Sequence, residues 1–163
     1  RGLFFSGHDD TPAATRVYFN NINYITITSL GNASQFGELD QKLYRVAGLA
    51  SPIRGIMSGG STPSPTSVDI NRIQYVNILT LGNTQDFGDL TRITSSCIGA
   101  SNTTRGVFGG GTSSTNTIDY VTIASTGDAI DFGDLTVDRF SLGSAANSIR
   151  GTFVGGDGPV TSS

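Results

Sequence analysis

The chain has 163 residues, of which 36% are hydrophobic and 14% charged, with 22 Gly and a net charge of −3. Its ten basic residues are dispersed, which leaves no phosphate-tracking surface for a nucleic acid. The single cysteine, Cys97, excludes an internal disulfide and a cysteine-built zinc site, and no apolar run approaches the roughly 20 residues that span a bilayer.

Taken in chain order, the segments repeat. The first copy opens with "RGLFFSG" at Arg1, continues with "INYITI" from Ile22 and then "GNASQFGEL" from Gly31. The second reads "RGIMSGG" from Arg54, "IQYVNI" from Ile73 and "GNTQDFGDL" from Gly82. The third reads "RGVFGGG" from Arg105, "IDYVTI" from Ile118 and "GDAIDFGDL" from Gly127, and a fourth begins with "RGTFVGG" at Arg150. Spacings of 51 and then 45 residues are shared by the Ile and Gly segments, so one structural unit is repeated.

Alternating apolar residues and turn residues predict about four short strands per copy. In the third copy these are a strand through Val107 and Phe108 that ends at Gly109–Gly111, Ile118 to Ile123, Ile130 to Leu135, and Phe140 to Ala146. Helical windows are interrupted by Gly and Thr throughout, which excludes an α-solenoid. The predicted fold class is all-β: propeller blades of about four antiparallel strands, in a single repeat domain over 1–163. The copies run approximately over 1–53, 54–104 and 105–149, with a partial fourth at 150–163. Three copies and part of a fourth do not close a ring, so either more chain or several chains complete it. The start at Arg1, inside a repeat and without Met, predicts a fragment or a processed product.

The tripeptide Asp86-Phe87-Gly88 matches the magnesium-binding signature of kinases, but it recurs at Asp131 and reads Gln35-Phe36-Gly37 in the first copy. Lys42 is the only lysine, and no catalytic-loop signature is present. Phe36, Phe87 and Phe132 are therefore expected as core anchors, each followed by a turn glycine. Arg54, Arg105 and Arg150 each lie fifteen residues after Leu39, Leu90 and Leu135. Each of those leucines follows an acid, Glu38, Asp89 or Asp134, and a repeated Arg–carboxylate pair is expected. Cys97 aligns with Val46 and Leu142 and reads as a small core residue. His8, beside Asp9 and Asp10, lies in a connection whose length varies between copies, which is the behaviour of a surface loop.

The apolar strand ending in Gly-Gly, the Tyr-bearing strand and the aromatic-x-x-Leu segment together resemble the kelch repeat of β-propellers. The string "RGVFGGG...IDYVTIASTGDAIDFGDLTVDR" is similar to the kelch-like repeats of virion structural and tail-fibre proteins of marine cyanophages. Two departures stand out: Phe36, Phe87 and Phe132 occupy places where kelch repeats usually carry Trp, and Ser6 replaces the first Gly of its pair. The resemblance implies a non-enzymatic virion appendage module, in the virion or outside the cell. Its partners would be other virion proteins or a host-surface glycan or protein, without a nucleic acid, a membrane insertion, a cofactor or a metal, and assembly between chains is open to it. Specificity would lie in the loops His8 to Asn21 and Ser61 to Arg72, with His8, Arg16, Tyr18, Phe19 and Arg72 as ligand contacts. The alternatives are an intracellular kelch adaptor and a propeller enzyme of the sialidase or oxidase kind, "TQDFGDLT" faintly resembling a sialidase turn motif.

Overall fold

The computed structural model describes residues 1–9, 16–112 and 115–158. Among these there is no helix, and thirteen strands form four antiparallel sheets. The first sheet holds β1 (Gly2–Asp9), β2 (Val17–Ile25) and β3 (Ser34–Glu38). The second holds β4 (Ala47–Ala50), β5 (Arg54–Ser58), β6 (Ile70–Asn77) and β7 (Gln85–Thr94). The third holds β8 (Ile98–Ser101), β9 (Arg105–Gly109), β10 (Thr117–Thr122) and β11 (Ile130–Asp134), and the fourth only β12 (Gly143–Ala146) and β13 (Gly151–Val154).

The sheets are out of phase with the sequence copies. Phe140 to Ala146, read above as the last strand of the third copy, supplies β12, which pairs forward with β13 across an Asn147–Arg150 turn. The same holds for β4 with β5 and β8 with β9. Side chains fix these turns: Asn102 Oδ1 accepts the Arg105 N–H at 2.8 Å, and Asn147 Oδ1 accepts that of Arg150 at 2.8 Å. An Asx turn thus precedes each of these two Arg-Gly pairs and directs the chain back along its own sheet.

The Phe-Gly pair is a β-bulge in all three of the larger sheets. Ile22 faces Gly37, Ile73 faces Gly88 and Ile118 faces Gly133, but the next partners are Gln35, Asp86 and Asp131, so each Phe is the unpaired extra residue. Gly88 and Gly133 have φ of 144° and 135°, a region that side-chain-bearing residues avoid. The kinase-like tripeptide is accordingly a backbone device.

Successive sheets pack face to face, and the core lies between them. Ile22, Phe36, Leu39, Leu43, Met57 and Val76 fill the space between the first and second sheets. Leu49, Ile56, Phe87, Phe108, Val121 and Ile123 do so between the second and third. Phe36 and Phe87 are buried as expected, at 3% and 2% exposure, whereas Phe132 is 53% exposed. Phe132 differs from the expectation because, among the described residues, the fourth sheet has only β12 and β13, and these leave it uncovered.

Ser6 keeps the left-handed conformation of the glycines it replaces, with φ of 57° against 59° at Gly59 and 66° at Gly110. A Cβ at Gly59 would lie 2.6 Å from the Thr94 carbonyl oxygen. At Ser6 that close approach becomes a hydrogen bond, in which Oγ donates to the corresponding carbonyl of Leu43.

Candidate functional site

The repeated residues build the stack. In each of the three larger sheets an Arg guanidinium lies over a Tyr ring: Arg1 on Tyr24 at 5.1 Å, Arg54 on Tyr75 at 4.6 Å and Arg105 on Tyr120 at 4.7 Å. Each Tyr in turn meets the bulge Phe edge to face, with centroids 5.9, 5.9 and 6.1 Å apart. The guanidinium then reaches the next sheet, where Arg1 Nη1 donates to the Ile78 carbonyl and Arg54 Nη1 to that of Ile123, both at 2.7 Å.

The expected pairing of Arg54, Arg105 and Arg150 with Glu38, Asp89 and Asp134 is thereby corrected. A carbonyl already offers a lone pair at the sheet edge, and the Tyr ring holds the cation, so no carboxylate is required. Glu38 instead accepts from Asn20 Nδ2 at 3.4 Å. Arg105 and Arg150 are exposed, as are Glu38, Asp89 and Asp134.

Four of the ligand candidates, His8, Arg16, Tyr18 and Phe19, lie where the end of β1 faces the start of β2. Of the loop expected from His8 to Asn21, His8 and Asp9 belong to β1 and Val17 to Asn21 to β2, while 10–15 lie outside the described residues. Likewise the expected loop from Ser61 to Arg72 gives up Ile70 to Arg72 to β6, where hydrogen bonding to β7 sets their register.

Strand register places His8 opposite Tyr18, and Tyr44 comes up beside both from the connection after β3. Ring centroids are 5.8 Å apart for His8–Tyr18, 5.8 Å for His8–Tyr44 and 5.2 Å for Tyr18–Tyr44. Arg45 lies 5.3 Å over the Tyr44 ring, and Tyr44 is anchored by its hydroxyl to Ser67 Oγ at 2.8 Å. His8 and Arg45 are exposed and Tyr18 half-buried, while Phe19 and Arg16 are exposed nearby in sequence. Tyr44 itself is buried, so the result is an aromatic cluster that reaches the surface through His8 and Tyr18, with a cation at its margin. Sequence reading missed Tyr44 and Arg45, although a signal exists: Tyr44-Arg45 stands where the later copies have Ser95-Ser96 and Phe140-Ser141. All three second residues have positive φ, and Arg at 60° is the least suited to it.

Arg72 joins a separate cleft of about 360 Å³ with Asp40, Gln74, Thr84, Asp86 and Asp89. Arg72 Nη1 donates to Asp40 Oδ2, and Gln74 Nε2 donates to Asp40 Oδ1 at 2.8 Å. The equivalent place in the next pair of sheets is buried. There Asp119, fully enclosed, accepts from Arg92 Nη1 at 2.8 Å and from Thr91 Oγ1 at 2.6 Å.

Cys97 is buried, and burial pushes its thiol up to about 11, so it is not a thiolate nucleophile at neutral pH. Among the described residues no group of three or more His, Cys, Asp or Glu could hold a metal ion. The fold and this surface define an all-β protein of stacked, repeated antiparallel sheets. No protein-family model matches the chain, and no curated protein matches it either.

Proposed function

We propose that this protein is a non-enzymatic binding module built of kelch-like propeller blades, belonging to a virion appendage that attaches to a host surface or to other virion proteins. The observation that carries the binding role is the surface of His8 and Tyr18, backed by the buried Tyr44, with Arg45 beside it. It occurs only in the first copy and breaks the repeat at the end of the sheets where connections differ in length. Such breaks are where a repeat protein departs from what its stacking requires. Two four-stranded meanders of blade size support the propeller reading, and the sequence resemblance to cyanophage virion proteins supports the appendage.

A ligand for this surface presents flat apolar faces edged with hydroxyls or acids, which describes a host-surface glycan. The Tyr18 ring stacks on the sugar, and Arg45 and His8 serve its polar rim. Glycan-array binding should therefore show a retained ligand without turnover. Tyr18→Ala should weaken it about tenfold, equivalent to about 1.4 kcal/mol. Hydrolysis of a labelled glycan by the wild-type chain would overturn the non-enzymatic reading, and full binding by Tyr18→Ala would remove this surface from it.

A further inference from the structure

Two successive interfaces of the stack are built on one plan. Between the second and third sheets, Thr91 N–H donates to Asp119 Oδ2 at 3.3 Å. Between the first and second, Asp40 N–H donates to Gln74 Oε1 at 3.4 Å. Asp40 aligns with Thr91 and Gln74 with Asp119, so these are the same contact met twice. Gln74, at 2% exposure, is a floor nearly as deep as Asp119.

The interfaces part at the following residue. Arg92 stands beside Thr91, and its guanidinium donates to Asp119 and to the Gly110 and Thr117 carbonyls. Its counterpart in the first copy is Gln41, neutral and shorter, which does not line the space over Gln74. That space is the cleft of about 360 Å³ already described. A place filled by a guanidinium in one interface is therefore open in the other.

The open cleft has the charge that a cation needs. In the β6–β7 register Asp86 lies opposite Gln74 and Asp89 opposite Arg72. Alternation alone would set residues 86 and 89 on opposite faces of the strand, but the extra residue of the bulge brings both to this one. With Asp40 they place three carboxylates around the cleft against one guanidinium, that of Arg72. Arg72 is held by Asp40, and its side chain is 47% exposed. Among the described residues the Asp86 and Asp89 carboxylates have no hydrogen-bond or ion-pair partner, and both residues are exposed.

We infer that this cleft receives an arginine side chain of a partner protein, its guanidinium bonded by Asp86 and Asp89 over the Gln74 amide, in the place that Arg92 fills one interface on. The planar fork of a guanidinium matches carboxylate oxygens in a way that an ammonium does not. The site is separate from the His8 and Tyr18 surface and does not rest on the glycan reading.

Amide-resolved NMR of the full chain, titrated with Nα-acetyl-arginine amide, tests it. Saturable shifts are expected at Asp40, the Gln74 side chain, Asp86 and Asp89. A variant carrying both Asp86→Asn and Asp89→Asn alters only exposed side chains and should keep the wild-type melting temperature. It should bind the probe about tenfold more weakly, the scale of one charge-assisted hydrogen bond. Gln41→Arg should supply the guanidinium from within and abolish the shifts. Nα-acetyl-lysine amide should bind more weakly than the arginine probe. Absence of a saturable shift at the cleft overturns the inference, as does wild-type affinity in either variant or equal binding of the lysine probe.

Discussion

Asp119→Ala is expected to destabilise the protein by about 3–5 kcal/mol, the usual consequence of leaving one member of a buried ion pair unmatched. In a chain of this size that lowers the melting temperature by roughly 6–20 °C. Asp119 is fully buried and takes hydrogen bonds from Arg92 Nη1, Thr91 Oγ1 and Thr91 N–H. Arg92 is only 15% exposed and gives its other bonds to the Gly110 and Thr117 carbonyls, so its charge would be stranded between the second and third sheets. The comparison is Arg72→Ala, which breaks the pair with Asp40. Those side chains are 47% and 38% exposed, and the expected cost is at most about 1 kcal/mol. Thermal melts of the two variants read the difference, and equal shifts would contradict the burial assigned to Asp119.

Gly88→Ala is the second large effect, and Gly133→Ala is its internal control. Both residues have φ near 140° and occupy the same place in the bulge. A methyl group at Gly88 would lie 2.5 Å from the Gly127 carbonyl carbon and oxygen, backbone atoms that no rotamer change can move. It also threatens the hydrogen bonds from Gly127 to Phe87 and from Ala129 to Asp89. Backbone strain and overpacking together predict a loss of about 3–6 kcal/mol at Gly88, against about 1–3 kcal/mol at Gly133, where the strain acts alone. Denaturant unfolding of the two variants gives the result, and matching losses would show that the second and third sheets do not meet at this point.

Much of this fold is legible in the sequence because the repeat presents each unit several times. The Ile-x-Tyr strand and the Phe-Gly-x-Leu segment recur with fixed spacing, and each became a strand or a bulge in every larger sheet. The phase of the sheets is not legible, and the reason is chemical. β4, β8 and β12 read AGLA, IGAS and GSAA, small residues without a clear alternation, so nothing in them says whether they pair backward or forward. Small side chains are what the close stacking requires: a Cβ on Gly99 would lie 2.5 Å from the Gly48 carbonyl oxygen. The partner of Arg54 was hidden for a similar reason, since a main-chain carbonyl such as that of Ile123 leaves no mark on residue type, whereas nearby acids suggest a pair that does not form. At the ligand surface, His8 and Tyr18 stood out in sequence. Tyr44 reaches them only through the fold, because the connection after β3 bridges to Ser61, between β5 and β6, and carries the ring across.

The central claim is that one interface, repeated, joins successive sheets through amides donated to the bulge strand. Residue-resolved amide hydrogen exchange tests this most directly. Gly82, Thr84, Gly127 and Ala129 should be protected by their bonds to Phe36, Glu38, Phe87 and Asp89. Rapid exchange at these four positions would contradict the stacked architecture.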